Sequence, residues 1–242
     1  MEKLEEFVDE RQKSWCIQCG AWIGEVETNE DHVPSRALLL RPHPPNLPVV
    51  RVCATCNNGF SADEEYLFLF LRCVLAGTTD PDGHEDARVA RALKHHDKLR
   101  ARIERSKIEY RTIGGETRAI WQPESERVNR VVVKSARGLA FYEYGEPKLT
   151  EPERVWTAPL DAMSEAERES FENAEDEGML AGWPEVGSRM MTRVMTGEDL
   201  CDGWIVVQDG VYRYRVNQCG TIRVRSVLFE YLATEVCWDD CT

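Results

Sequence analysis

The chain has 242 residues, 42% of them hydrophobic, and a formal net charge of −13. That size and apolar share suit one large domain or a small module joined to a second, and they exclude fibrous and disordered classes. The acid excess is uneven: 7 Lys+Arg face 13 Asp+Glu over residues 1–80, 15 face 11 over 81–150, and 8 face 19 over 151–242. A basic middle between acidic ends can offer phosphates a local surface, although the global field opposes unassisted binding to nucleic acid.

The longest apolar run, YLFLFLRCVLAG, is interrupted by Arg72 and suits a buried helix better than a membrane span. The start, MEKLEEFVDERQKSW, lacks an apolar signal core, so a cytoplasmic protein without membrane association is expected. An odd count of 9 cysteines cannot pair completely within one chain, which points to metal ligands or buried thiols.

In chain order, LEEFVDERQKSW predicts a short helix, AWIGEVET a strand, and Asn29-Glu30 a turn before Asp31. The prolines of RPHPPNLP demand a loop, VVRV resumes extended structure, and after Cys56 the spacing of Phe60, Glu64, Leu67, Phe68 and Leu71 predicts a helix. TTDPDG marks a boundary between a module at 1–77 and a second domain at 78–242. Residues 85–107 predict one amphipathic helix with Val89, Leu93 and Ile103 on its apolar stripe. Its basic face includes Arg88, Arg91, Lys94 and Lys98, which track phosphates or are simply solvated.

Further on, KIEYRTIGGETRAIWQP predicts a hairpin and ERVNRVVVKSARGL fits strand or helix, with helix preferred and Gly138 as its stop. MSEAERESFENAEDEGMLAG predicts a helix opened by a Ser164–Glu167 capping box. The end is β: WIVVQ, VYRYRV and TIRVRSVLFEYLATEVCW, with Arg213 and Arg215 facing Arg223 and Arg225 across an odd loop. That arginine face is either solvated or a phosphate surface. Cys201, Cys219, Cys237 and Cys241 are irregularly spaced and suit lone buried thiols better than a second metal site.

Two CxxC pairs stand out, Cys16-Ile17-Gln18-Cys19 and Cys53-Ala54-Thr55-Cys56. Each closes a tight knuckle that aims two thiolates at one point, and four thiolates make a closed tetrahedral site for Zn2+. Between the knuckles lies Asp31-His32, and directly after the second comes Asn57-Asn58.

In this order, CIQCG, EDHVPSR, NLPVVRVCATCN and FSADEEYLFLFL resemble the zinc-stapled branch of the HNH, or ββα-metal, nuclease family over residues 14–75. The resemblance implies an N-terminal ββα-metal module, and the elements read after it make the whole an α+β protein with a mixed helical and antiparallel-β second domain. It assigns the motif's Asp-His to Asp31 and His32, its middle Asn to Asn46 and its last position to Asn57. It implies cleavage of DNA with one divalent cation, leaving a 5′-phosphate. Asp31 and Asn57 are hard oxygen ligands suited to Mg2+ or Mn2+, and His32 suits a general base. Because successive strand residues face opposite ways, Asp31 and His32 serve one site only if the chain bends there.

Several alternatives stay open. Asn57 is a ligand or a helix cap, with Asn58 as the other ligand choice; Asn46 is catalytic or a turn residue; Arg36 meets a phosphate or solvent. At the level of function, the rivals are a zinc-stabilised binding module without chemistry and a nuclease subunit active only in a complex. In the latter, a protein partner would dock on the acidic 151–242 segment.

Overall fold

The computed structural model describes residues 13–111, 115, 117–173, 184–218 and 221–239. It is a mixed α/β protein with antiparallel sheets. Two compact units form, one from residues up to Phe60 and from Val132 onward, the other from Ser61 to Val131. The chain passes between them inside helices, while the 78–83 turn lies within the second unit. Among the described residues no helix is long and apolar enough to cross a membrane.

In the first unit, strand β1 (Thr28–His32) pairs antiparallel with β2 (Val49–Cys53), and helix α1 (Ala54–Ala76) follows at once. Asn29 and Glu30 do not turn, contrary to the sequence expectation; they pair with Val52 and Arg51 inside the strand. AWIGEVET is not a strand up to that point either. It makes a 3-10 turn at Ile23–Glu25, where the Trp22 indole lies across Gly24, and a Cβ at Gly24 would meet the indole Nε1 at 2.5 Å. The expected helix at the start falls mostly outside the described residues.

Helix α1 continues into the second unit, where Leu67, Phe68 and Leu71 are buried. The expected single basic helix is two, α2 (Ala87–His95) and α3 (Asp97–Arg105), broken at His96 with φ −113° and ψ 62°. Asp97, acidic in the first turn of α3, complements that helix's positive end and helps define a new start. Val89, Leu93 and Ile103 are buried as their spacing requires. Strands β3 (Lys107–Arg111) and β4 (Thr117–Trp121) form the expected hairpin.

Helix α4 (Ser125–Tyr144) begins in the second unit and ends in the first. Gly138 does not stop it. That glycine sits against Val33, whose Cγ2 would lie 2.7 Å from an added Cβ, so the residue serves close approach rather than termination.

The first unit also holds a six-stranded antiparallel sheet. Its members are β5 (Arg154–Pro159), β6 (Leu200–Cys201), β7 (Trp204–Gln208), β8 (Tyr212–Gln218), β9 (Thr221–Leu228) and β10 (Leu232–Asp239). They lie in the order β5-β10-β9-β8-β7-β6. The last apolar stretch is split into β9 and β10 by Phe229 and Glu230, both at positive φ. Helix α5 (Glu165–Glu172) carries the expected capping box at Ser164 and Glu167, and α6 (Arg189–Thr196) follows. A core of Leu160, Phe171, Trp204, Val227 and Ala233 packs on this sheet.

Arg215 does face Arg225, but Arg213 faces Val227 and Arg223 faces Asn217, so only one of the expected arginine pairings forms. The arginine face is nevertheless not a solvated one. Arg213 makes paired bonds to Glu172 (2.7 and 2.8 Å), and Arg225 Nε donates to Glu235 Oε2 at 2.7 Å, so distant carboxylates claim these guanidinium groups. Deeper still, Arg193 and Glu143, both fully buried, pair at 3.1 Å, with Asp199 and the Tyr214 hydroxyl completing the network.

Candidate functional site

The four knuckle cysteines converge. Their Sγ atoms all lie within 4.8 Å of one another, and Cys19 Sγ stands 3.8 Å from Cys53 Sγ. A tetrahedron with Zn–S of ~2.3 Å has an edge of ~3.8 Å, so the cluster fits zinc without rearrangement of this pair. The first knuckle is closed by Gly20, whose φ of +72° lets its N–H donate to Cys16 O at 2.7 Å. The second straddles the end of β2 and the first turn of α1, where Cys56 N–H donates to Cys53 Sγ at 3.4 Å.

Burial pushes the Cys56 thiol far above its ordinary range. For Cys53 burial acts the same way, but the Cys56 N–H and the neighbouring thiols outweigh it and pull the group down. A cation at the centre of the cluster would favour thiolates throughout.

The bend that would bring Asp31 and His32 to one site is missing from the strand pairing. Register is unbroken through Asp31↔Val50 and His32↔Val49, so the two side chains take opposite faces of the hairpin. Asp31 shares the buried face with Val50 and Val52. There its Oδ1 accepts a bond from Lys134 Nζ on α4 at 2.9 Å, with side-chain exposures of 6% and 4%. A buried pair of this kind is costly to break from either side. A divalent cation at Asp31 would have to share the carboxylate with this ammonium or displace it. The arrangement therefore does not fit the expected Mg2+ or Mn2+ site as it stands.

His32 takes the other face with Glu30, Val49 and Arg51 and is half-buried. Burial first, then the charge of Arg36, lowers its pKa below the ordinary 6.5, so the imidazole is neutral at pH 7 and able to accept a proton. Arg36 is exposed at the start of a 3-10 turn capped by Ser35. Asn57 lies one residue past Cys56 in the first turn of α1, half-buried, with Asn58 exposed beside it. Asn46 is exposed at φ +57°, a left-handed conformation that asparagine tolerates in turns.

Arg88, Arg91, Lys94 and Lys98 are exposed and all belong to the Ser61–Val131 unit. Arg88 lies over the Phe68 ring at 4.3 Å, and Lys94 pairs with Asp82 at 2.8 Å. Among the described residues the knuckle cysteines form the only cluster fit for a metal; Cys219 and Cys241 lie outside them.

No known family model, curated protein or solved structure gives a significant match to this chain. The residue that motif reasoning missed is Lys134. Its trace was a single lysine set among Val131, Val132, Ala136, Leu139 and Ala140, all buried, which is a poor place for an ammonium without a partner.

Proposed function

We propose that the β1–β2–α1 element is a zinc-stapled nuclease module of the HNH type, which hydrolyses phosphodiester bonds in DNA with His32 as general base. The observation that carries the reading is His32 on the less buried face of a hairpin whose end is fixed to a helix start by four convergent thiols. In this reading His32 removes a proton from the attacking water, whose oxygen bonds to phosphorus as the bond to the 3′-oxygen breaks; solvent protonates the departing 3′-oxygen, and a 5′-phosphate remains. Zinc is structural, because four thiolates leave it no open position. The Mg2+ or Mn2+ that the family resemblance implies would neutralise charge on the phosphoryl oxygens. Asp31 and Asn57 are the residues that would hold it, with Asp31 sharing its carboxylate with Lys134 or releasing it.

The Asp31–Lys134 pair favours one second reading, a zinc-stabilised binding module without chemistry, in which Asp31 is a structural anchor. Supercoiled plasmid and single-stranded DNA, incubated with the zinc-loaded protein and Mg2+ or Mn2+, separate the two. Nicking or cleavage that His32→Ala abolishes supports the nuclease. Absence of cleavage with either metal, or equal activity in the variant, leaves the binding module.

A further inference from the structure

The hairpin face that carries His32 opens onto a groove. One concavity of about 540 Å³ is lined by Thr28, Glu30, Val49 and Arg51 from that face, together with Trp15, Tyr142 and Arg189. A second, about 520 Å³, continues it past Trp22 and shares Lys13, Thr28 and Arg51 with the first. All these residues belong to the same compact unit. The groove is therefore one continuous surface, running from Trp22 to the Val49 that pairs with His32.

Its chemistry differs from that of the rest of the chain. The protein carries −13, yet among the described residues the second concavity is lined by Lys13 and Arg51 and by no carboxylate. The first adds Arg189 and a single acid, Glu30, which lies across the strands from Arg51. Two indoles stand beside these cations with 42% and 44% of Trp15 and Trp22 exposed, in edge contact at 4.9 Å. They are held, not loose: a backbone bridge joins Trp15 to Trp22, and the Trp22 ring rests across Gly24, where no side chain intervenes. Arg189 is fixed over the Tyr142 ring at 3.9 Å and bonded to the Tyr142 carbonyl.

Fixed, partly exposed indoles beside cations are what an unpaired nucleobase and its phosphate require. A duplex keeps its base faces stacked inside and offers indoles nothing to cover. We infer that this groove binds single-stranded nucleic acid, with bases stacking on Trp22 and Trp15 and phosphates meeting Lys13 and Arg51, and that it leads the strand toward His32. The last clause rests on the proposed function; the binding itself does not.

The test is fluorescence anisotropy of a labelled oligothymidylate of about 12 nucleotides, a length within single-strand site sizes. Full-length zinc-loaded protein is used without added divalent cation, beside a duplex of equal length. The single strand is expected to bind at least roughly ten-fold more tightly than the duplex. Trp22→Ala should weaken it roughly ten-fold, while Trp22→Phe retains most of the affinity. Arg51→Gln should weaken binding several-fold and make its dependence on salt shallower. Arg168→Ala, exposed on α5 and lining neither concavity, should change nothing, and zinc content confirms that each variant is folded. Equal affinity for duplex, absence of single-strand binding, or a Trp22→Ala variant that binds like the parent overturns the inference. His32→Ala distinguishes the two proposals: it should keep the binding whatever it does to cleavage.

Discussion

Lys134→Met is the most direct probe of how the hairpin is anchored. The parent pair sits at 2.9 Å with side-chain exposures of 6% for Asp31 and 4% for Lys134, so water does little to stabilise either charge. The variant keeps the bulk of the side chain and removes only the ammonium. Asp31 is then a buried carboxylate without that partner, a situation that costs ~3–5 kcal/mol. Against a typical total stability of ~5–15 kcal/mol, that is a large share. With a urea m-value of about 3 kcal/mol/M, the unfolding midpoint of the zinc-loaded protein should fall by ~1–1.7 M at pH 7. The second variant, Asp31→Asn with Lys134→Met, removes both charges and should recover more than half of the loss, because an uncharged pair has far less desolvation to compensate. Acidification should also shrink the deficit of Lys134→Met, since a protonated carboxyl needs no counter-ion. A midpoint within about 0.2 M of the parent, or a double variant no more stable than the single one, would refute the reasoning.

Other consequences can be measured alongside. Cys53→Ser should lower bound zinc from one ion per chain toward none in elemental analysis, and chelation of the parent should cause a comparable loss of stability, because the knuckles join β2 and α1 through the metal. His32, followed by its ring proton in NMR, should titrate below 6.5. Since the folded state disfavours the charged form, that histidine's contribution to stability is full above pH ~6.5 and declines as pH falls toward its lowered pKa. Any His32-dependent cleavage should keep its neutral base down to the same limit, which a pH–rate profile reads. Gly138→Ala gains ~1 kcal/mol in helix propensity but drives a Cβ to 2.7 Å from Val33 Cγ2. Overpacking of ~1–3 kcal/mol should outweigh the gain, and Val33→Ala in the same chain should restore a helix no worse than the parent.

How far the sequence carries the fold depends on the distance over which each element is decided. The knuckles and the capping box at Ser164 are local patterns, with partners a few residues apart, and they are found where spacing puts them, whereas α1 starts at Ala54 rather than after Cys56. The break at His96 is also local but weak, for two adjacent histidines before an aspartate do not announce a helix end as glycine or proline does. The positive φ at Phe229 and Glu230 is harder still, since neither is a residue that favours that conformation. At the candidate site the cysteines and His32 could be found from the motif. The fate of Asp31 could not, because its partner lies 103 residues away on a helix recognisable from its valines but not from its charge. The arginines of β8 and β9 teach the same lesson: alternation gave their shared face, while only the folded chain shows their register and Glu172 and Glu235 beside them.

The order of these partners along the chain bears on how the protein is made. Both knuckles are complete once Cys56 has left the ribosome, and metal could close them then, with the hairpin between them. Lys134 emerges much later, after the whole Ser61–Val131 unit has been synthesised. Until it arrives, the nascent hairpin carries a carboxylate that must stay wet, so the face that becomes buried cannot yet lose its water. Zinc would thus shape the hairpin first, and the lysine would seal it afterwards.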